Sequence, residues 1–156
     1  MTLFLACLAS VALCVACVVV HWGVMELLVK RMCVRDHNLS RRLLAGVLIL
    51  LVVHFVQISG FAAGYEALDG FAGASFGRDG GSGEGGQGFL EAWYFSASVY
   101  TTVGFGDLTP RGPLRLLAGL EALVGLLMIT WSASFTFLVM NRAWAARYAD
   151  DDAPPL

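Results

Sequence analysis

The chain has 156 residues, 58% of them hydrophobic and only 14% charged, with a formal net charge of −2. A soluble domain this small could not hide so much apolar surface, and the unbroken apolar runs point to lipid as the solvent.

The first run, residues 3–29 ("LFLACLASVALCVACVVVHWGVMELLV"), holds one acid, Glu26. It exceeds the ~20 residues that a helix needs to cross a ~30 Å hydrocarbon core. A removable signal peptide is the rival reading. The run lacks a basic leading segment and is far longer than a signal's apolar region, so a retained helix over 1–29 is expected. Ala6, Ser10 and Cys14 recur every four residues as a small-residue face for close helix contact. "CVAC" at 14–17 is read as packing, because a cysteine inside lipid behaves as a small apolar residue. His21 and Glu26, toward the far end, are read as anchors, and the helix is expected at the periphery.

The link over 30–42 carries Lys30, Arg31, Arg35, Arg41 and Arg42 against Asp36. By the positive-inside rule it is cytoplasmic, which leaves the N-terminus outside. Cys33 is then a reduced thiol, and the sequon "NLS" at 38–40 is discounted. The second run, 43–65, carries no formal charge and forms a second spanning helix, with His54 and Gln57 along it. Residues 66–88 fall outside; their charges are mostly acidic (Glu66, Asp69, Asp79, Glu84, against Arg78). Within them "GFAGASFGRDGGSGEGGQG", residues 70–88, is glycine-dense and expected to be a mobile loop. Its GxGxxG match is discarded, since no strand precedes it and no parallel βαβ unit is possible.

Residues 89–101 are helix-compatible but too short to span, and glycine-containing backbone follows them. That is the pattern of a re-entrant element, tolerated at membrane depth only where protein buries it or water lines it. In "TTVGFGD" at 101–107, Gly104 and Gly106 can take positive φ cheaply, so successive carbonyls can face one axis. Four such segments around that axis would stack rings of oxygens able to replace a cation's water shell, with the Thr102 hydroxyl as the innermost layer. Val103 and Phe105 would turn away and pack on the short helix. The C-terminus of that helix, near Thr101, would aim partial negative charge at the entering ion.

The third run, within 113–141, has Arg115 at its start and Glu121 ~10 Å into the membrane. Glu121 is read as an acid bracing the back of the short helix, with His54 and Gln57 as candidate partners; His54 is read as a satisfied interhelical histidine in preference to a pH sensor. Gly119 and Gly125 are candidate hinge or packing positions, and Ser132, Ser134 and Thr136 candidate cavity hydroxyls. Asn141, Arg142 and Arg147 put the tail, 142–156, in the cytoplasm, ending in a frayed "DDDAPPL". No helix carries an arginine ladder, so no voltage sensor is expected. With so few residues after the third run, no nucleotide- or calcium-sensing domain is expected.

"TTVGFGDLTP" is similar to the selectivity filter of tetrameric potassium channels, and the order outer helix, pore helix, filter, inner helix over 43–141 resembles theirs. The resemblance implies an all-α integral membrane fold of three transmembrane helices plus a re-entrant pore helix and filter, assembled as a homotetramer. It implies a K+-binding filter over Thr102, Val103, Gly104, Phe105 and Gly106, with the carbonyls of Thr102 to Phe105 and the Thr102 hydroxyl on the ion. "GFG" in place of "GYG" occurs within the family, among others in two-pore-domain channels, which carry two loops per chain. Phe95 stands where a pore-helix Trp would partner the filter Tyr, so an apolar cuff is expected around Phe105. Ser98 replaces a Glu that some bacterial members pair with the filter acid. Asp107 therefore needs another donor, Tyr94 or Trp93. The expected function is passive, selective K+ conduction in a plasma membrane, the bacterial inner membrane by preference. The alternatives are a nonselective cation channel and a non-conducting subunit modifying another pore. No enzyme, cofactor or nucleic-acid partner is expected; the partners are copies of the chain, lipid and K+.

Overall fold

The computed structural model describes residues 2–31, 39–68, 75–78 and 88–151. Its elements are α1 (Thr2–Arg31), α2 (Leu39–Leu68), β1 (Ser75–Arg78), α3 (Phe89–Tyr100), β2 (Leu108–Arg111) and α4 (Leu114–Asp151). Cys33, Arg35, Asp36 and the sequon asparagine of the basic link lie outside the described residues. So do the loop acids Asp69, Asp79 and Glu84 and the last five residues.

Three helical stretches, Phe4–Arg31, Arg41–Leu68 and Leu114–Arg142, are long and apolar enough to cross a membrane. They are apolar around their whole circumference, so hydropathy does not choose their buried faces; size and polarity do. α1 buries Ala6, Ser10, Cys17, His21, Met25 and Leu28, a stripe at three- and four-residue steps. Its Leu8, Val15, Val19 and Trp22 face outward, where lipid is as good a solvent as a protein interior. The small-residue face is thus a packing face. Ser10 closes its hydroxyl onto the carbonyl of Ala6 at 2.8 Å and leaves no polar atom for lipid to solvate.

α3, twelve residues and about 18 Å long, lies against α2 and α4. Behind it is the main core, in which Phe61, Ala62, Tyr65, Tyr100, Leu114 and Leu117 are almost fully buried. A second, smaller cluster of Met25, Leu28, Leu50 and Phe135 joins α1, α2 and α4 nearer the basic link.

Three boundaries differ from the sequence reading. The glycine-dense segment 70–88 is not loop throughout: Ser75–Arg78 pairs antiparallel with Leu108–Arg111, Phe76 opposite Pro110 and Gly77 opposite Thr109. The cause is Phe76, whose ring meets Tyr65 at 5.7 Å and Phe95 at 4.9 Å and pins the strand to the core. Gly77 lets the strands approach closely: a Cβ there would stand 2.9 Å from Thr109 Oγ1 and from the Arg111 guanidinium, and both side chains would have to shift. The inner helix does not stop at 141. Residues 142–151 continue α4, since "RAWAARYADD" holds good helix formers and no glycine or proline. The basic link is shorter than 30–42, because α1 runs through Arg31 and α2 begins at Leu39.

Candidate functional site

The last turn of α3 and the backbone after it form one hydrogen-bonded unit. The Thr101 amide donates to Ala97 O (3.2 Å) and that of Thr102 to Val99 O (2.9 Å). The amides of Val103 and Gly104 both donate to Ser98 O, at 3.0 and 3.1 Å. The Thr101 hydroxyl adds a 2.7 Å bond to Ala97 O and caps the helix. Donors therefore point back into the helix. Among the described residues no donor reaches the carbonyls of 102–106.

The backbone then alternates in hand. Thr102, Gly104 and Gly106 have φ of 61°, 57° and 83°, while Val103 and Phe105 keep negative φ. Reversing the hand at every second residue offsets the flip of successive peptide planes that makes a strand's carbonyls alternate. Consecutive carbonyls are thereby free to face one side. Glycine adopts this conformation without penalty. A left-handed threonine costs roughly 1–2 kcal/mol and, being β-branched, is a conformational outlier. Strain of that kind collects where the surrounding structure over-determines a functional backbone.

Residues 101–107 are exposed along this chain's open face, Val103 at 57% and Phe105 at 65%. Phe105 is not left bare on its inner side, since it stacks on Tyr94 with ring centroids 5.8 Å apart and planes 7° apart. The expected cuff from Phe95 is corrected accordingly. Phe95 is buried against Tyr65 (5.1 Å) and Phe76 (4.9 Å), on the far side of α3. One residue is a ~100° step around a helix, so neighbours 94 and 95 cannot share a face. Asp107 finds Tyr94 as its hydroxyl donor. Partial burial of that phenol, then the bond to Asp107 and its charge, hold the Tyr94 pKa above the ordinary value. Trp93, the other candidate, instead donates its Nε1 to Ser59 Oγ at 3.0 Å.

Behind α3, Glu121 is fully buried and braces the helix, but not through His54 and Gln57. Its carboxyl takes the hydroxyl of Tyr65 on one oxygen and lies 2.5 Å from Ser96 Oγ on the other. Ser96 Oγ is also 2.8 Å from Ile58 O. A serine has a single proton, so a proton on Glu121 is what satisfies all three contacts at once. His54 and Gln57 serve Tyr100, the residue before "TT". The Tyr100 hydroxyl donates to Gln57 Oε1 at 2.5 Å and lies 2.9 Å from His54 Nδ1. His21 is no simple anchor. It is fully buried in the same cluster, 3.1 Å from Ser132 Oγ, so α1 reaches the polar interior that backs the pore helix.

Gly125 proves to be a packing position: a Cβ there would sit 2.2 Å from the carbonyl oxygen of Tyr100. Gly119 faces open space. Ser134 is exposed and closes its hydroxyl onto Thr130 O at 2.9 Å, while Thr136 does the same onto Ser132 O at 2.8 Å. Tyr65, Ser96 and Tyr100 escaped the sequence reading; their signal was hydroxyls placed in otherwise apolar helices.

A family model described as "Ion channel" matches residues 48–142, which takes in α3, the alternating backbone and most of α4. The inward rectifier potassium channel Kirbac3.1 of Paramagnetospirillum magnetotacticum is 40% identical over 58 residues, 36% of this chain. The aligned part covers 20% of that relative's length. No solved structure matches the chain significantly. With three helices long and apolar enough to cross a membrane, and with the family match running over more than half of its length, the chain belongs to the ion channel family.

Proposed function

We propose that the chain is the subunit of a homotetrameric channel that conducts K+ selectively and passively. The observation that carries this reading is the backbone of 102–106. The amides of 102–104 are tied back to Ser98 and Val99, the φ values alternate in sign, and among the described residues no donor reaches the carbonyls. At membrane depth such oxygens are stable only if something replaces water around them. Four copies about an axis supply rings of carbonyls, from Thr102 to Phe105, and a dehydrated cation fills them. Tetramerisation also covers Val103 and Phe105, which one chain leaves exposed. Tyr94, Ser98, Thr101 and Asp107 hold the segment in shape, and the C-terminal end of α3 favours the entering cation. In this reading the basic link faces the cytoplasm of a bacterial inner membrane and the paired strands β1 and β2 the outside. The name of the inward rectifier relative supports K+ as the ion.

Purified protein in liposomes, with K+, Rb+ and Na+ flux measured separately, tests it. K+ and Rb+ pass and Na+ does not, Ba2+ blocks, and native mass spectrometry gives a tetramer. Equal Na+ and K+ flux would leave a general cation channel, and no flux from a folded tetramer would leave a non-conducting subunit.

A further inference from the structure

Beneath the filter, side chains from all the long helices and α3 close into a ring. Tyr100 from α3 donates its hydroxyl to Gln57 Oε1 of α2 at 2.5 Å. Gln57 Nε2 faces His21 Nδ1 of α1 at 3.5 Å, and His21 Nε2 faces Ser132 Oγ of α4 at 3.1 Å. Ser132 Oγ faces His54 Nε2 of α2 at 3.1 Å, and His54 Nδ1 returns to the Tyr100 oxygen at 2.9 Å. Four of the five side chains are buried, and His54 is partly so.

The protons in this ring have one consistent order. Gln57 Nε2 also donates to the carbonyl of Cys17 at 3.0 Å, which fixes which end of the amide is which. An amide nitrogen only donates, so His21 Nδ1 accepts and its Nε2 carries hydrogen for Ser132. Tyr100 spends its hydrogen on Gln57, so His54 Nδ1 donates to the phenol oxygen and its Nε2 accepts from Ser132. The two deductions start at opposite sides and meet at Ser132 without conflict. Both histidines are neutral and they hold opposite tautomers.

We propose that this ring is a proton-ordered clamp on the pore helix: with both histidines neutral it holds the Tyr100 turn and the filter in the conducting position, and one added proton releases it. The proposal rests on the channel reading given above. A second proton on His21 would put an N–H against the Gln57 N–H2, whose amide cannot turn without abandoning Cys17 O. A proton on His54 makes its Nε2 a donor, so Ser132 must turn its hydrogen out of the ring. It also places a charge beside the other imidazole, 5.2 Å away between centroids. No carboxylate among the described residues faces either ring to compensate. The titratable groups around them are Cys17 from α1, Tyr100 from α3 and each other. Glu121 on α4 is engaged by Tyr65 and Ser96, eleven residues or about 16 Å along the helix from Ser132. The release is transmitted directly, because the Thr101 and Thr102 amides hang on the turn that Tyr100 ends.

Two measurements test the clamp. In the first, K+ flux into liposomes falls about tenfold between about pH 8 and about pH 4, a window that spans and extends below the ordinary histidine range. The His21→Gln/His54→Asn double variant keeps donors and acceptors but cannot take the proton, so it conducts at both pH values and loses the profile. A pH profile unchanged in that variant overturns the proposal, as does a wild-type flux that ignores pH. The second uses the unaltered ring. Nitrogen-15 solid-state NMR of histidine-labelled protein in lipid, with His37→Gln removing the third signal, shows one Nδ1–H and one Nε2–H neutral imidazole at pH 8. Like tautomers, or a charged ring, overturn it whatever the flux. Absence of K+ preference with opposite tautomers observed would instead sink the channel reading and leave the ring intact.

Discussion

The contact between the inner helix and the end of the pore helix can be loaded with one carbon atom. Alanine at Gly125 would set its Cβ 2.2 Å from the Tyr100 oxygen, 2.9 Å from its carbonyl carbon and 3.0 Å from its Cα. All three are backbone atoms, so no side chain can rotate to make room. Restoring an ordinary contact of about 3.5 Å requires α3 and α4 to part by roughly 1 Å. Overpacking of this kind costs about 1–3 kcal/mol, against a helix-propensity gain of at most about 1 kcal/mol for glycine to alanine. The loss wins in each chain. It is also felt at the filter, because the displaced carbonyl belongs to the residue before Thr101. We expect Gly125→Ala to lower both the thermal midpoint of the assembly and its K+ over Na+ preference in liposome flux. Gly119→Ala is the control: its Cβ meets nothing within 4 Å, so only the propensity gain applies. If Gly125→Ala kept wild-type stability and selectivity, the close approach of α4 to Tyr100 would be refuted.

Thr102→Ala removes a hydroxyl layer and relieves no carbonyl, so a reduced but K+-preferring flux is expected. Gly104→Ala puts a Cβ on a left-handed residue at roughly 1–2 kcal/mol per chain, and K+ preference should collapse; retained selectivity would show that this backbone does not line the ion path. Glu121→Gln supplies the same donor and acceptor as a protonated carboxyl and should melt near wild type. Glu121→Leu strands the Tyr65 and Ser96 hydroxyls at about 1–3 kcal/mol each and should melt well below it. Equal melting of the two variants would contradict that bracket. The raised pKa of Tyr94 means that its bond to Asp107 stabilises below the ordinary tyrosine value of about 10 and is lost as pH rises through the higher folded value. An alkaline loss of flux that is absent in Tyr94→Phe is expected; the same alkaline step in both proteins would assign it elsewhere.

The three spans were legible because lipid demands unbroken apolar length, and length needs no knowledge of partners. The alternating backbone of 102–106 was legible for a different reason: glycines on either side of one aromatic, after paired threonines, suit a chain whose hand reverses at every second residue. What the sequence hid depends on helix rotation. α1 and α2 are apolar on every side, so nothing local said that His21 points inward or that His54 turns to Tyr100 rather than to Glu121. The partners are 36 to 111 residues apart along the chain. Tyr94 kept the bond to Asp107 and also took the contact with Phe105 expected of Phe95, a difference of a single helical step. Strand β1 was invisible because four residues amid glycines carry no period, and only the docking of Phe76 makes them a strand.

The β1–β2 pairing has a consequence for assembly. The segment 101–107 is fastened at one end to the last turn of α3 and at the other to Leu108, the first residue of β2, which is buried in the chain's own core. Seven residues strung between two such fixtures have little freedom left to lose. Each protomer of the proposed tetramer therefore brings its quarter of the pore already cast, and oligomerisation becomes the docking of finished surfaces rather than the joint folding of a floppy centre. Preorganisation lowers the entropy that association must overcome. A substitution that unseats Phe76, which packs on its own chain's Tyr65 and Phe95, would then slow tetramer formation before it altered the pore.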